Sequence, residues 1–447
     1  MKEALFITST FPPEESGGTI RISKLAKYLP LFGWHLTVLT SMPPKTKSCV
    51  QVKFSSTIKV YRAPRFDITK SCVGLVNMVR KAIIVFKGWR ALLNSEVAYT
   101  SRQQVLSETT NSPRRRLSEY LFIPDQWAPW IPIAIFLGLW CIVKSRPSII
   151  YSTSPSPSTL LIGYILSNVT SLPWVVEFRD PWMLNPFRRV RPFRWMESFE
   201  TWLERIILCR ATHIVVTSEQ YKLEILSRYS QISRDSISYI PNGFDPEDFS
   251  GVTPQQFEKI TIVHAGNFYG ARSSTPFLRA LRMAVDQIPL MEMNLQVLFI
   301  GLRDCDTAQT IMELELGNIV EQKGVVSHCQ SIEFMMGANI LLLVPGPGNG
   351  TMPGKTFEYL AARKPILALT DDGAVSELIT STGTGETIAP DDCVGISESI
   401  IRLFTLSNSP SGYPYPEACD TADVLMQYDR KEIASKIARL LDALVKQ

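Results

Sequence analysis

Histidine is scarce in this chain of 447 residues. The four present, at 35, 213, 264 and 328, belong to no His, Cys or carboxylate cluster that would hold a metal. The eight cysteines, at 49, 72, 141, 209, 305, 329, 393 and 419, include no CxxC pair. That excludes a disulfide scaffold and points to reduced thiols in a cytoplasm. The net charge of +4 is too slight to argue for nucleic acid, and no such partner is expected. No internal repeat of solenoid length is present. The first apolar run, Ala4 to Ile7, is too short for the core of a signal peptide. It meets Pro12, Pro13, Glu14 and Glu15 almost at once and reads as a first strand.

One apolar stretch, Trp127 to Val143, reaches 17 residues but is interrupted by Pro129 and Pro132. That is the short limit for a bilayer span, so a buried or surface-lying helix competes with a single crossing. Lys70, Arg80, Lys81, Lys87, Arg90 and the run Arg114, Arg115, Arg116 lie upstream. These basic residues, with the prolines and tryptophans, favour a helix in the core or at a membrane interface over one that crosses.

Hydrophobic residues make up 45% of the chain and charged residues 20%, the balance of a folded protein, and the length suggests two domains. Ala4–Thr8, a Pro/Gly-rich loop from Phe11 to Thr19, a helix over Ile20–Leu31 and Leu36–Thr40 form a βαβ unit, whose strands pair in parallel. Short apolar strands recur at Ser148–Ser152, Trp174–Phe178, His213–Thr217 and Ser236–Ile240, as in a sheet buried on both faces. Pro157–Leu166 and Phe193–Cys209 read as helices between them. After a turn-rich stretch, Asn242–Thr253, the alternation restarts. Strands are expected at Ile260–Ala265, Gln296–Ile300, Ile340–Val344 and Pro365–Leu369, with helices near Ser274–Gln287, Asp306–Glu315 and Lys355–Ala362. The expected architecture is α/β, with two doubly wound domains, 1–242 and 243–447, facing a central cleft. The last helix is a candidate to return toward the first domain.

Four segments can carry chemistry. The loop after the first strand ends in Gly17 and Gly18 before a helix, where backbone N–H groups and the dipole favour an anion. A plain βα connection is the alternative. Arg179 and Asp180 follow the strand Trp174–Phe178, either as a local ion pair or as site residues. The strand Ile260–Ala265 runs into Gly266 and Asn267, with Arg272 just before the next helix. Arg272 could bind phosphate oxygens in bidentate fashion or stand solvated, and His264 reads as packing or a supporting contact. Finally, a loop of glycines and prolines runs through Gly350, Thr351, Met352, Pro353 and Gly354 into a helix that starts with Lys355. An ammonium in a first helical turn suits a bound anion. Glu358, one turn on, could accept two ribose hydroxyls or pair with Lys355. Asp304-Cys305-Asp306 is a literal DxD, but it follows a strand of the second domain without supporting ligands, and no metal is expected.

These segments, in this order, resemble retaining glycosyltransferase family 4, and the resemblance covers nearly the whole chain. It rests on the strand–PP–GG opening, FRDPW at 178–182, IPNGFD at 240–245 and PGKTFEYLAARKPIL at 353–367. The family implies a GT-B fold and no cofactor, with a nucleotide-diphosphate sugar as co-substrate bound mainly by the C-terminal domain. Matched residue by residue, Arg272 takes the family's basic position six places after Gly266, and Glu358 takes the ribose carboxylate. Asn267 stands where the family often has arginine, and Gly350 where it has a first glutamate. The missing carboxylate resembles a branch in which Lys355 and the backbone of Thr351–Gly354 share the phosphate contacts. Arg179 and Asp180 fall at acceptor-side and reaction-centre positions. The resemblance further implies metal-independent transfer with retention. The acceptor would be a saccharide on a polyprenyl diphosphate at the cytoplasmic membrane face, within bacterial surface-polysaccharide assembly such as lipopolysaccharide or capsule. The basic, Trp-bearing region 70–143 suits that setting. A nucleotide-sugar epimerase and a non-catalytic partner subunit on the same fold are the rival expectations.

Overall fold

The computed structural model describes residues 2–14, 17–43, 58–64, 122–185, 188, 191, 193–348, 352–409 and 425–446. Two parallel sheets organise it. The first holds β1 (Lys2–Ile7), β2 (Trp34–Ser41), β3 (Ile58–Ala63), β4 (Ile149–Thr153), β5 (Trp174–Phe178), β6 (His213–Val216) and β7 (Ile237–Tyr239), in the order β3-β2-β1-β4-β5-β6-β7. Its interior strands are short apolar runs buried on both faces, the pattern of an all-parallel sheet.

Helix α1 (Gly17–Tyr28) covers one face. The other carries α2 (Ile131–Ser145), α3 (Pro157–Thr170) and α4 (Arg194–Arg210), whose inner residues share one apolar cluster with Leu5, Ile150, Val176 and Ile214. Helix α5 (Glu219–Arg228) leads into β7.

The second sheet repeats the plan with β8 (Ile260–Ala265), β9 (Leu295–Ile300), β10 (Val320–Gly324), β11 (Ile340–Leu343), β12 (Ile366–Leu369) and β13 (Gly385–Ile388), ordered β10-β9-β8-β11-β12-β13. Its longer described helices are α6 (Thr275–Gln287), α7 (Cys305–Glu313), α8 (His328–Gly337), α9 (Gly354–Ala362), α10 (Ala374–Thr382), α11 (Cys393–Asn408) and α12 (Arg430–Val445). This is the expected α/β GT-B architecture. In each sheet the chain reverses its direction of growth once, between β1 and β4 and between β8 and β11. Ligands of open α/β sheets settle beyond the carboxyl ends of the strands at such points.

Strands β3, β10 and β13 lie outside the strands expected from sequence. All three are sheet edges, where one side needs no apolar partner. IKVYRA, VEQKG and GETI accordingly carry polar residues that disguise them. The first helix begins at Gly17, earlier than the expected Ile20, so both glycines form its first turn instead of a loop. A first turn accepts glycine readily because its N–H groups have no intrahelical partners.

The chain crosses between the two halves twice. Arg21, 2% exposed, pairs with Glu177 at 2.8 Å and donates to the carbonyls of Ile240 and Pro241 at 3.2 and 2.5 Å. Asp245 accepts from Lys24 at 2.6 Å, Lys27 at 2.9 Å and Tyr28 at 2.7 Å. The second crossing hydrogen-bonds to the first, Phe244 N to Tyr428 O at 3.1 Å and Arg430 N to Phe244 O at 2.9 Å. A Cβ at Gly243 would sit 1.9 Å from Tyr428 O, which fixes glycine in the IPNGFD segment. Helix α12 then lays Ile433, Ile437 and Leu441 against Ile22, Leu25 and Leu29 beside the first sheet.

Candidate active site

Loops after β1, β4 and β5 form one wall of the site. Arg179, at the end of β5, is buried, and its guanidinium donates to the carbonyls of Ser154 and Gly18. Its own carbonyl accepts from Thr217 Oγ1 at 2.7 Å. The side chain therefore ties the loop after β4 to the first turn of α1. Beneath it, Glu177 accepts from Tyr151 Oη at 2.8 Å and Thr153 Oγ1 at 2.5 Å as well as from Arg21. Burial would raise that carboxyl, but Arg21 and Arg179 outweigh it and hold Glu177 below the usual carboxylate range. Asp180 alone of this group reaches solvent. The surrounding protein pushes its carboxyl up, against the pull of Arg179 and of Arg272 from the other half of the molecule.

Loops after β8 and β11 form the facing wall. Arg272 Nε donates to Pro345 O at 2.8 Å, joining the two loops, and its guanidinium centre stacks 5.0 Å from the Tyr269 ring. Gly266 ends the strand turn, and Asn267 Oδ1 accepts from Leu302 N at 2.7 Å. A Cβ at Gly301 would lie 2.1 Å from Gly266 O, so this close passage of the β8 and β9 loops needs glycine. His264 is buried, stacked on Phe268 at 4.4 Å, and bonded through Nδ1 to Leu342 O at 2.9 Å. Burial lowers its pKa to about 4, so the ring is neutral at pH 7.

Helix α9 starts at Gly354 after Pro353 and Met352, with no side chain capping its first turn. A Cβ built on Gly354 would meet nothing within 4 Å among the described residues. Lys355 Nζ lies 2.6 Å from Glu358 Oε2 and 3.3 Å from Ser331 Oγ, while Glu358 Oε1 lies 3.4 Å from His328 Nε2. Burial would raise Glu358, but Lys355 and His328 hold it at about 2. Tyr359 fixes the helix, accepting from Ala265 N at 2.7 Å and donating to Leu342 O at 3.2 Å.

The structure thus gathers Gly266, Asn267, Arg272, Gly354, Lys355 and Glu358 beyond the carboxyl ends of β8 and β11, with Gly17, Gly18, Arg179 and Asp180 beyond those of the first sheet. Thr351 and Gly350 lie outside the described residues, as do Glu15, Ser16 and the part of the 70–143 region from 70 to 121.

His328, outside the four segments singled out in the sequence, touches Glu358. Asp304 of the DxD triplet caps α7, accepting from Thr307 N at 2.9 Å and Thr307 Oγ1 at 2.8 Å. Arg21 also escaped notice, although an arginine between Ile20 and Ile22 on an apolar helix face was a legible signal of a buried ion pair.

Residues 16–243, just over half of the chain, match the model of the glycosyl transferase 4-like domain. No curated protein matches the chain. Among solved structures, sucrose-phosphate synthase from Thermosynechococcus elongatus is similar over 99% of each chain, at 16% identity and a TM-score of 0.68. HepE from Anabaena, in complex with UDP and glucose, covers 99% of this chain and 100% of its own, at 13% identity and a TM-score of 0.65. WaaG, a glycosyltransferase involved in lipopolysaccharide biosynthesis, covers 98% of this chain and 99% of its own, at 13% identity and a TM-score of 0.61. At these identities the likeness bears on the fold.

Proposed function

The chain belongs to the glycosyl transferase 4-like family, and from that premise we propose that it transfers a sugar, with retention at the anomeric carbon, from a nucleoside-diphosphate sugar to a saccharide acceptor. The observation that carries this reading is the meeting of two walls beyond the switch points of both sheets. One bears Arg272, Lys355 and the start of α9; the other bears Asp180.

In this proposal the diphosphate sits against the first turn of α9, where Lys355 and Arg272 offset its charge and take the place of a metal. Glu358, ionised and buried, accepts the two ribose hydroxyls. The bond from the anomeric carbon to the diphosphate oxygen breaks, and one to the acceptor oxygen forms. The acceptor proton leaves with the diphosphate. Asp180 faces the acceptor, and Arg179 acts as a positioning residue for the loop that carries it. Gly350, at the family's first glutamate position, leaves out a carboxylate contact to the donor sugar, in keeping with the branch suggested by sequence.

The acceptor in this reading is carried on a polyprenyl diphosphate, with the protein peripheral on the cytoplasmic membrane face in surface-polysaccharide assembly. WaaG, by its own description, works in lipopolysaccharide biosynthesis. The test is product analysis by NMR after incubation with UDP-, GDP- and ADP-sugars and candidate acceptors in EDTA. The expected product keeps the anomeric configuration of the donor; an inverted product or a strict metal requirement overturns the mechanism.

A further inference from the structure

Helices α2, α3 and α4 lie side by side on one face of the first sheet, with their inner residues in a single core cluster. What they turn outward is unusual for a solvated surface. Along α4, Trp195, Phe199 and Trp202 are 60%, 42% and 52% exposed at helical spacing, preceded by Phe193 at 58%. Phe199 and Trp202 stack on each other at 5.5 Å instead of on the core. Along α2, Phe136 and Val143 are each 77% exposed, and Trp140 43%. Helix α3, between them, contains no charged residue.

The charges on this layer are one-sided. Lys144, Arg194 and Arg205 are exposed. The acids of α4 are spent: Glu200 and Glu204 are buried, and Glu197 pairs with Arg188 at 3.3 Å. Aromatic residues at this density, flanked by cations and without an unpaired acid among the described residues, match the headgroup region of an anionic bilayer.

We propose that the outer face of α4, together with α2, docks the protein on an anionic membrane. The surface adjoins the site, because α4 begins where the loop from Asp180 ends, so its Trp195 end lies toward the carboxyl edge of the sheet. A lipid-borne acceptor could keep its tail in the bilayer while its sugar reaches Asp180. The inference rests on the membrane placement proposed above and assigns the surface that achieves it.

The test is flotation of the full chain with vesicles of phosphatidylcholine alone or mixed with phosphatidylglycerol. The wild type should float with the mixed vesicles, and the triple variant Trp195→Ser, Phe199→Ser, Trp202→Ser should lose most of that binding. Arg194→Gln and Arg205→Gln should each weaken binding about fivefold. Melting temperature and transfer to a water-soluble acceptor should not change in any of them. Equal flotation of wild type and triple variant overturns the proposal. So does a lower melting temperature in the triple variant, which would mean that the chain itself covers the stripe, or a wild-type oligomer that the variant breaks, which would mean a second copy. A wild type that turns over no acceptor would refute the proposed function while the vesicle result stands on its own.

Discussion

Lys355 Nζ stands 2.6 Å from Glu358 Oε2, one helical turn away, with the start of α9 beside it. The pair holds a cation where a helix dipole disfavours one and a carboxylate where burial does. Each makes the other tolerable, and together they present one charge to a phosphate and one to a ribose. Lys355→Ala should lower kcat by about 10²-fold, while Glu358→Gln should act mainly by raising the KM for the donor. Steady-state kinetics with both variants separates the roles, and unchanged parameters in both would remove this pair from the site.

The same pair sets an acid limit on stability. Glu358 is held at about 2, against an ordinary 4.5. A lowered carboxylate contributes stability above its unfolded pKa and loses it as pH falls through the folded one. The contribution, about 3 kcal/mol, should therefore vanish between pH 4.5 and 2. Melting curves across that range should fall less steeply for Glu358→Gln than for the wild type.

Arg21 and Glu177 form a buried pair that also anchors the crossing between halves. Arg21→Ala leaves Glu177 inside the protein with one cation fewer and should cost about 3–5 kcal/mol. The double variant Arg21→Met, Glu177→Gln should recover part of the loss, as read by chemical denaturation. A single-variant cost no larger than that of an exposed ion pair would contradict this account.

Arg179 and Asp180 are neighbours with different work. Asp180→Asn should reduce turnover without changing nucleoside-diphosphate affinity, because it lies on the acceptor wall. Arg179→Ala should lower the melting temperature as well, since its guanidinium holds the Ser154 and Gly18 carbonyls. Turnover and calorimetric melting of the two proteins decide between the roles.

Most of this was legible in the sequence. The interior strands announced themselves as short apolar runs because both their faces are buried. The edges β3, β10 and β13 did not, for the complementary reason. Loops after β5 and β8 could be found because Arg179 and Gly266 directly follow a strand, and those after β1 and β11 because prolines and glycines interrupt the chain within a few residues. Contacts between distant segments could not: nothing local ties His328 to Glu358 or Phe244 to Tyr428. His328 beside a carboxylate also sharpens the epimerase comparison. Donor incubated without acceptor should keep its sugar unaltered here, and an epimerised donor in that mixture would favour the rival.

The central claim is that the second sheet's switch point grips a nucleoside diphosphate with protein cations and a helix start. Its direct measurement is calorimetric titration of UDP, GDP and ADP in EDTA, on the wild type and on Arg272→Ala and Lys355→Ala. One diphosphate should bind the wild type without metal, and each substitution should weaken it by about tenfold or more. Binding that needs a divalent cation, or that survives both substitutions unchanged, would contradict the account.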